Sequence, residues 1–214
     1  MIRVKICGIT TPEDACLAAD LGASAIGIVM WPHSPRYVDP ARARAIVDAL
    51  PPFVTAVGVF VDQGDALRIA DKAGIMTIQF HGDEPAIAYE SFRRPVIKAI
   101  AVRDRAAVAA AEEVPRQAAV LLDAHDPDKR GGTGKRIDWT IAAEIAALRP
   151  VILSGGLNAQ NVIEAIEAVR PAAIDVSSGV ESSPGRKDPA KLRELFGVLR
   201  ASSLSAIRHS TIRD

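Results

Sequence analysis

Cys7 and Asp123 are candidates for chemistry, because each ends a predicted strand. Cys7 closes the first strand, and Asp123 follows four apolar residues in Ala119-Val120-Leu121-Leu122-Asp123. A cysteine is reactive when it ionises to a thiolate, and a carboxyl group that ends a strand can reach a site at the strand ends. The alternatives are a small buried cysteine and an aspartate that serves as a cap or turn residue. Either side chain can take part in chemistry only if the fold brings it to a cleft.

Arg36 and His81 occupy loops that follow predicted strands. Arg36 lies in a proline-rich loop after the second strand, where a guanidinium could bind a carboxylate through two hydrogen bonds. The alternative is a solvated loop arginine. His81 follows the fourth strand and is either a ligand contact or an ordinary loop histidine. Histidine, aspartate and glutamate show no metal-ligand spacing, so the sequence predicts no metal site.

Two glycine-containing turns, Ser154-Gly155-Gly156 and Ser178-Gly179, follow the last two predicted strands. Glycine lets the backbone approach a ligand closely, and exposed N–H groups in such turns can bind a phosphate. Either turn alone is more simply explained by the geometry of a tight turn. Both turns together, at this pair of loops, predict a phosphate site with Gly155, Gly156, Ser178 and Gly179 as contacts.

The elements that must position these residues alternate regularly. Eight short apolar runs predict strands, and their nearly continuous hydrophobicity is typical of parallel strands covered by helices. The predicted strands are Arg3–Cys7, Ala25–Met30, Thr55–Val61, Thr77–Phe80, Val96–Ala101, Ala119–Asp123, Val151–Ser154 and Ala173–Ser177.

Helices are predicted between the strands, where apolar residues recur at helical spacing. The predicted helical segments are Pro12–Leu21, Ala43–Leu50, Ala66–Ala73, Glu84–Phe92, Arg105–Val114, Trp139–Leu148, Val162–Val169 and Leu192–Leu199. Eight strand–helix pairs in about 200 residues indicate a single (β/α)8 TIM barrel near the lower size limit of that fold. A doubly wound open sheet is the alternative, but Cys7-Gly8-Ile9-Thr10 is not a dinucleotide-binding turn.

Alternation along the first strand predicts which side chains face the barrel interior. Lys5 and Cys7 lie on one face, and the apolar Val4 and Ile6 lie on the other, which should pack against helices. An inward Lys5 needs a carboxylate partner, and the eighth strand, adjacent in a closed barrel, offers Asp175. The ammonium would also favour the Cys7 thiolate.

Composition excludes several classes of protein. The 214 residues carry 26 Lys and Arg against 26 Asp and Glu, and this balance disfavours binding to nucleic acid or to a membrane surface. The two cysteines form no CxxC pair, and neither a signal peptide nor a run long enough to cross a bilayer is visible. We therefore expect a cytoplasmic protein with one domain over residues 1–200. We expect the serine-rich residues 201–214 to form a flexible tail.

A set of motifs, in order along the chain, resembles phosphoribosylanthranilate isomerase. The motifs are Lys5-Ile6-Cys7-Gly8-Ile9-Thr10, Ser34-Pro35-Arg36, Gln79-Phe80-His81-Gly82, Leu121-Leu122-Asp123, Gly131-Gly132-Thr133-Gly134, Asp138-Trp139, Ser154-Gly155-Gly156-Leu157-Asn158, Asp175-Val176-Ser177-Ser178-Gly179-Val180-Glu181 and Pro184-Gly185-Arg186-Lys187-Asp188. Each motif is weak alone, whereas the ordered set is specific. The loop with Trp31 and His33 departs from the family pattern, and residues beyond about 200 are not covered.

The resemblance implies a barrel enzyme that performs an Amadori rearrangement in tryptophan biosynthesis without a cofactor. The implied substrate is N-(5-phosphoribosyl)anthranilate, and the implied product is 1-(2-carboxyphenylamino)-1-deoxyribulose 5-phosphate. By resemblance, Cys7 is the general base, Asp123 is the general acid and Arg36 contacts the anthranilate. We expect His81 and Asp175 to contact the substrate as well, in a monomer or a homodimer.

Two rival functions remain open at this stage. One is another phosphate-binding barrel enzyme, such as indole-glycerol-phosphate synthase, for which Lys98 is a candidate acid without a companion lysine. A related isomerase with two catalytic aspartates would have Asp at position 7. The other rival is a non-catalytic barrel that only binds a phosphorylated ligand.

Overall fold

The computed structural model describes residues 2–84, 93–124 and 137–210, with side chains described as far as residue 204. The predicted helix at Glu84–Phe92 lies outside the described residues apart from its first residue, Glu84. The segment Gly131-Gly132-Thr133-Gly134 also lies outside them.

Eight parallel strands form a closed barrel in chain order, which confirms the predicted (β/α)8 architecture. Closure occurs where the first strand pairs with both the second and the eighth. The predicted strand bounds differ from those observed by a single residue at most. The strands are β1 (Arg3–Cys7), β2 (Ala25–Val29), β3 (Thr55–Phe60), β4 (Thr77–Phe80), β5 (Val96–Val102), β6 (Ala119–Ala124), β7 (Val151–Leu153) and β8 (Ala173–Val176).

Helices follow most of the strands in the described residues, and local capping explains where several of them begin. The Thr11 side chain accepts a hydrogen bond from the Asp14 N–H, and Asp39 and Asp138 cap later helices in the same way. None of the described helices is long and apolar enough to cross a membrane. The helices are α1 (Pro12–Leu21), α2 (Pro40–Asp48), α3 (Ala66–Ala73), α4 (Ala106–Glu113), α5 (Trp139–Leu148), α6 (Val162–Val169) and α7 (Pro189–Ser210).

The last helix is longer than the sequence predicts. We expected the barrel to end at residue 200 and a flexible tail to follow, but α7 continues to Ser210. The Ser203 hydroxyl donates to the carbonyl of Leu199, 3.0 Å away, so this serine is accommodated within the helix. Residues 201–210 therefore extend a helix of the barrel, and residues 211–214 lie outside the described part of the chain.

A short hairpin follows β8 and supplies residues that contact Arg36. The short 3₁₀ helix Ser178–Val180 leads into β9 (Glu181–Ser183), which pairs antiparallel with β10 (Arg186–Lys187). This hairpin returns Glu181 and Lys187 toward the carboxyl ends of the barrel strands, where Arg36 lies.

Packing separates two environments around each strand. Val4 and Ile6 belong to the large core between the strands and the helices. Cys7 instead clusters with Val29 and Val59 of neighbouring strands, above a separate apolar layer formed by Val57, Ile97, Ala99 and Leu121. The alternation predicted for β1 is therefore confirmed, with Cys7 on the inner face.

Candidate active site

A cavity of about 510 Å³, counted with its solvent-open mouth, lies at the carboxyl end of the barrel. It brings together the predicted site residues Cys7, Arg36, His81, Asp123 and Asp175. These side chains come from the ends of barrel strands and from the loops that follow them, which is where barrel enzymes place their chemistry. The remaining lining residues are Val29, Trp31, Ser34, Val59, Val61, Gln79, Ser154 and Ser177.

Lys5 and Asp175 form a buried ion pair beside Cys7. The Lys5 Nζ donates to Asp175 Oδ2 at 2.9 Å, and the two residues are direct neighbours in the β1–β8 register. The pairing predicted from strand alternation is thus confirmed. Gly27 stands opposite Cys7 on β2, and a Cβ atom there would lie 2.7 Å from the Cys7 Sγ and 2.9 Å from the Lys5 Nζ. The missing side chain at Gly27 therefore makes room for the thiol and the ammonium.

Burial and charge act in opposite directions on these groups. Burial lowers the pKa of Lys5, but Asp175 and Cys7 outweigh it, so the pKa is raised and Lys5 is an ammonium at neutral pH. Burial raises the pKa of Cys7, and Lys5 offsets this only in part. Lys5 favours the thiolate as expected, yet the raised pKa keeps Cys7 mainly as a thiol at neutral pH.

Asp123 contacts a histidine that follows another strand. The His81 Nε2 and Asp123 Oδ2 atoms are 3.1 Å apart, and the Gln79 Nε2 lies 3.1 Å from His81 Nδ1. Burial raises the pKa of Asp123, but His81, the Ala124 N–H and Ser154 together outweigh it, so the pKa is lowered. A general acid works best near neutral pH when its pKa is raised, and the structure gives the opposite direction for Asp123.

Asp175 has one engaged and one unengaged oxygen. Lys5 occupies Oδ2, whereas Oδ1 is buried and has no hydrogen-bond partner among the described residues. Burial raises the pKa of Asp175, and the Lys5 ammonium offsets this only in part.

Arg36 is clamped by Glu181, a contact that the sequence analysis did not identify. The Arg36 Nε donates to Glu181 Oε1 at 2.9 Å, and Nη2 donates to Oε2 at 2.6 Å. Lys187 Nζ donates to the same Oε1 at 2.8 Å. Burial raises the pKa of Glu181, but the Arg36 and Lys187 contacts outweigh this effect, so the pKa is lowered. The sequence did offer one signal for this contact, because Glu181 is an acidic residue in the motif Asp175-Val176-Ser177-Ser178-Gly179-Val180-Glu181.

Gly8 provides the surface against which Arg36 lies. Its φ of +73° favours glycine, and a Cβ atom there would lie 2.5 Å from Arg36 Cδ and 3.1 Å from Ser177 Oγ. The missing side chain at Gly8 therefore lets the Arg36 side chain lie next to the residue that follows Cys7.

The two glycine turns lie beside the cavity, and its lining includes only the serines that precede them, Ser154 and Ser177. Gly155 and Gly156 have positive φ, so the turn after β7 needs glycine for its geometry. At Gly179, a Cβ atom would overlap the Leu157 carbonyl oxygen, so the turns after β7 and β8 contact each other. Phosphate binding by Gly155, Gly156, Ser178 and Gly179 stays a prediction.

Metal ligands are not clustered in the described ranges. In residues 2–84, 93–124 and 137–210, no three His, Cys, Asp or Glu side chains are placed to hold an ion. The polar groups of the cavity are instead arranged as pairs, Lys5 with Asp175 and His81 with Asp123. Such pairs can hold and transfer protons.

Comparison with known proteins gives a consistent match. Residues 4–198 match the sequence model of the family N-(5′-phosphoribosyl)anthranilate (PRA) isomerase. The N-(5′-phosphoribosyl)anthranilate isomerase of Neisseria meningitidis serogroup A is 50% identical over 194 residues, which cover 89% of this chain and 93% of the relative. The crystal structure of phosphoribosyl anthranilate isomerase from Thermus thermophilus is 45% identical with a TM-score of 0.85, covering 94% of this chain and 99% of that one.

Two further solved structures carry information on ligand and assembly. One is phosphoribosyl anthranilate isomerase in complex with reduced 1-(o-carboxyphenylamino)-1-deoxyribulose 5-phosphate, at 39% identity and a TM-score of 0.83, covering 94% of this chain and 100% of that one. The other, at 38% identity and the same TM-score and coverage, contains monomers generated from the dimeric enzyme of Thermotoga maritima.

Proposed function

The chain belongs to the N-(5′-phosphoribosyl)anthranilate isomerase family, and we propose that it performs this isomerisation with Cys7 as general base and Asp123 as general acid. The observation that carries the proposal is the placement of a thiol and a carboxyl group in one cavity, each beside its own partner. The substrate is N-(5-phosphoribosyl)anthranilate, and the product is 1-(2-carboxyphenylamino)-1-deoxyribulose 5-phosphate.

Ring opening is the first step. Asp123 protonates the furanose ring oxygen while the anthranilate nitrogen lone pair forms a C1=N bond and the bond from C1 to the ring oxygen breaks. Cys7 then takes the proton from C2, and the C–H electron pair forms C1=C2 as the C1=N pair returns to nitrogen. The resulting enolamine becomes the ketone when C1 gains a proton and the C2 hydroxyl loses one. Each assisted transfer contributes about 10²–10⁴ in rate.

The resting protonation states require an exchange between the two groups. The lowered pKa of Asp123 and the raised pKa of Cys7 favour a carboxylate and a thiol. The active form has the same total number of protons, with the proton on Asp123 and a thiolate at Cys7. Lys5 stabilises this form by lying beside the thiolate, and only a fraction of the protein needs to occupy it.

The two ends of the substrate are anionic and need separate anchors. Arg36, oriented by Glu181, is the anchor for the anthranilate carboxylate. The turns with Gly155, Gly156, Ser178 and Gly179 are the anchor for the phosphate. Holding both ends fixes the sugar between Cys7 and Asp123, and such positioning is a large part of catalysis.

Loss of phosphoribosylanthranilate fluorescence tests the function directly. The purified protein, without added metal or cofactor, is expected to remove the signal. Cys7→Ser and Asp123→Asn are expected to lower turnover by at least about 10²-fold while changing affinity for the reduced product analogue less than about tenfold. Near-normal turnover in both variants would refute the acid–base assignment, and a wild-type protein that binds the analogue without turnover would indicate a binding protein.

Cellular context and assembly are the remaining parts of the proposal. We propose a cytoplasmic enzyme that binds neither nucleic acid nor membranes, consistent with its balanced charge. A homodimer and a monomer both stay open for this chain, and the relative from Thermotoga maritima is described as dimeric. Sedimentation at micromolar protein concentration distinguishes the two states.

A further inference from the structure

Asp175 presents an unused hydrogen-bond acceptor to the cavity. Its Oδ1 atom is buried without a partner in residues 2–84, 93–124 and 137–210, and the residue is 5% exposed. A buried carboxylate oxygen without a donor costs free energy, because the water that it loses is not replaced. Since Asp175 lines the cavity, a ligand can supply the missing donor.

The position of Asp175 relative to Cys7 defines which part of the ligand it meets. Both residues flank the Lys5 ammonium, which bonds to Asp175 Oδ2 and influences the Cys7 thiol electrostatically. Cys7 acts on the hydrogen of the sugar C2 in the proposed function. The hydroxyl on that same carbon is therefore the donor that we place against the unengaged oxygen of Asp175.

We propose that Asp175 is a further catalytic residue, whose Oδ1 accepts a hydrogen bond from the C2 hydroxyl and then takes its proton as the enolamine becomes the ketone. This inference rests on the proposed function and assigns the base for its second half. In that step the O–H electron pair of the hydroxyl forms C2=O. The C1=C2 pair then takes up the proton that Cys7 holds, which restores the thiolate.

The proton balance closes across the two carboxyl groups. Asp123 loses a proton to the ring oxygen in the first half, and Asp175 gains one from the C2 hydroxyl in the second half. The Cys7 thiol gains and loses one proton in each cycle. The enzyme resets when a proton passes from Asp175 back to Asp123, two groups that are close enough to influence each other electrostatically.

Asp175 fits this role better than Asp123, the other carboxylate that lines the cavity. Asp123 is already held by His81, by the Ala124 N–H and by Ser154. Lys5 cannot accept a proton while it is an ammonium. Burial also raises the pKa of Asp175, which strengthens its affinity for a proton.

Partitioning of the enolamine tests the assignment. In D₂O, an enolamine that returns to substrate after the Cys7 thiol has exchanged with solvent carries deuterium at C2, whereas one that goes forward becomes product. With Asp175→Asn, we expect the ratio of deuterated recovered substrate to product to rise at least about tenfold over wild type, because only the forward path is slowed. An unchanged ratio would overturn the proposal, since a merely structural loss lowers the rate without changing the partition.

A binding comparison tests the hydrogen bond in the wild-type protein and does not depend on how well the variant folds. The reduced product analogue, which carries a C2 hydroxyl, is compared with its 2-deoxy counterpart by calorimetry. We expect the hydroxyl to improve affinity by about 10–100-fold, as for a hydrogen bond to a charged group. Equal affinity of the two analogues would overturn the proposal. Absence of isomerisation by the wild-type protein would instead refute the proposed function itself.

Discussion

The Lys5 Nζ lies 2.9 Å from the Asp175 Oδ2 across the seam where β1 meets β8 and closes the barrel. Both side chains are at most 5% exposed, so neither charge is hydrated in the folded protein. The pair thus places two opposite charges directly beneath the thiol that we assign as the base. It also makes the stability of the fold depend on residues of the site.

We predict that Lys5→Met destabilises the protein by about 3–5 kcal/mol at pH 7, because it leaves the Asp175 carboxylate buried without its counter-ion. Urea unfolding followed by circular dichroism measures this change. The double variant Lys5→Met/Asp175→Asn is the matched control and should recover much of the loss, since it removes both charges. Unfolding free energies equal to wild type for Lys5→Met would show that the pair does not operate in solution.

Strand alternation and barrel closure were sufficient to predict the Lys5–Asp175 pair, because both are local or topological properties of the chain. The contact of Glu181 with Arg36 was not predictable in the same way. These residues are 145 positions apart, and their contact depends on the hairpin after β8. The lowered pKa of Asp123 was likewise not predictable, since it depends on the orientation of His81, which follows β4.

The pH dependence of kcat/KM follows from the two opposite pKa shifts. The active form has Asp123 protonated and Cys7 ionised, but the resting form with the same proton count is the reverse. The fraction of active form therefore stays constant between the two pKa values and falls outside them. The pKa of Asp123 lies below its ordinary 3.8 and that of Cys7 lies above its ordinary 9.0, so we expect a flat profile from about pH 5 to 8.

Initial rates in a constant-ionic-strength buffer series measure this profile. A fall across pH 5–8 would mean that the thiol titrates near neutrality, because the one-proton state is lost above that pKa. A rise across the same interval would mean that the carboxyl group titrates there. Either slope contradicts the directions that burial and the His81 contact impose on the two groups.

Gly27 should matter because of the side chain that it lacks. Gly27→Ala places a methyl group within 2.9 Å of both the Cys7 Sγ and the Lys5 Nζ, so at least one of them must move. We expect kcat/KM to fall about 10–100-fold, since displacements of about 1 Å near reacting groups have such effects. Gly64→Ala is the matched control, because nothing lies within 4 Å of a Cβ atom there. A Gly27→Ala enzyme with the activity of Gly64→Ala would show that the thiol and the ammonium do not need this space.

Glu181 should act on the anthranilate end of the substrate only through Arg36. We predict that Arg36→Ala weakens binding of the reduced product analogue by about 1.5–3 kcal/mol, the contribution of a hydrogen bond to a charged group. Glu181→Gln retains an oxygen acceptor but loses the charge that holds Nε and Nη2, so a smaller loss is expected. Calorimetry with the analogue and with its counterpart lacking the carboxylate separates direct from general effects. If Arg36→Ala weakened both ligands equally, the guanidinium would not be the carboxylate anchor, and the Glu181 contact would serve only to hold the hairpin in place.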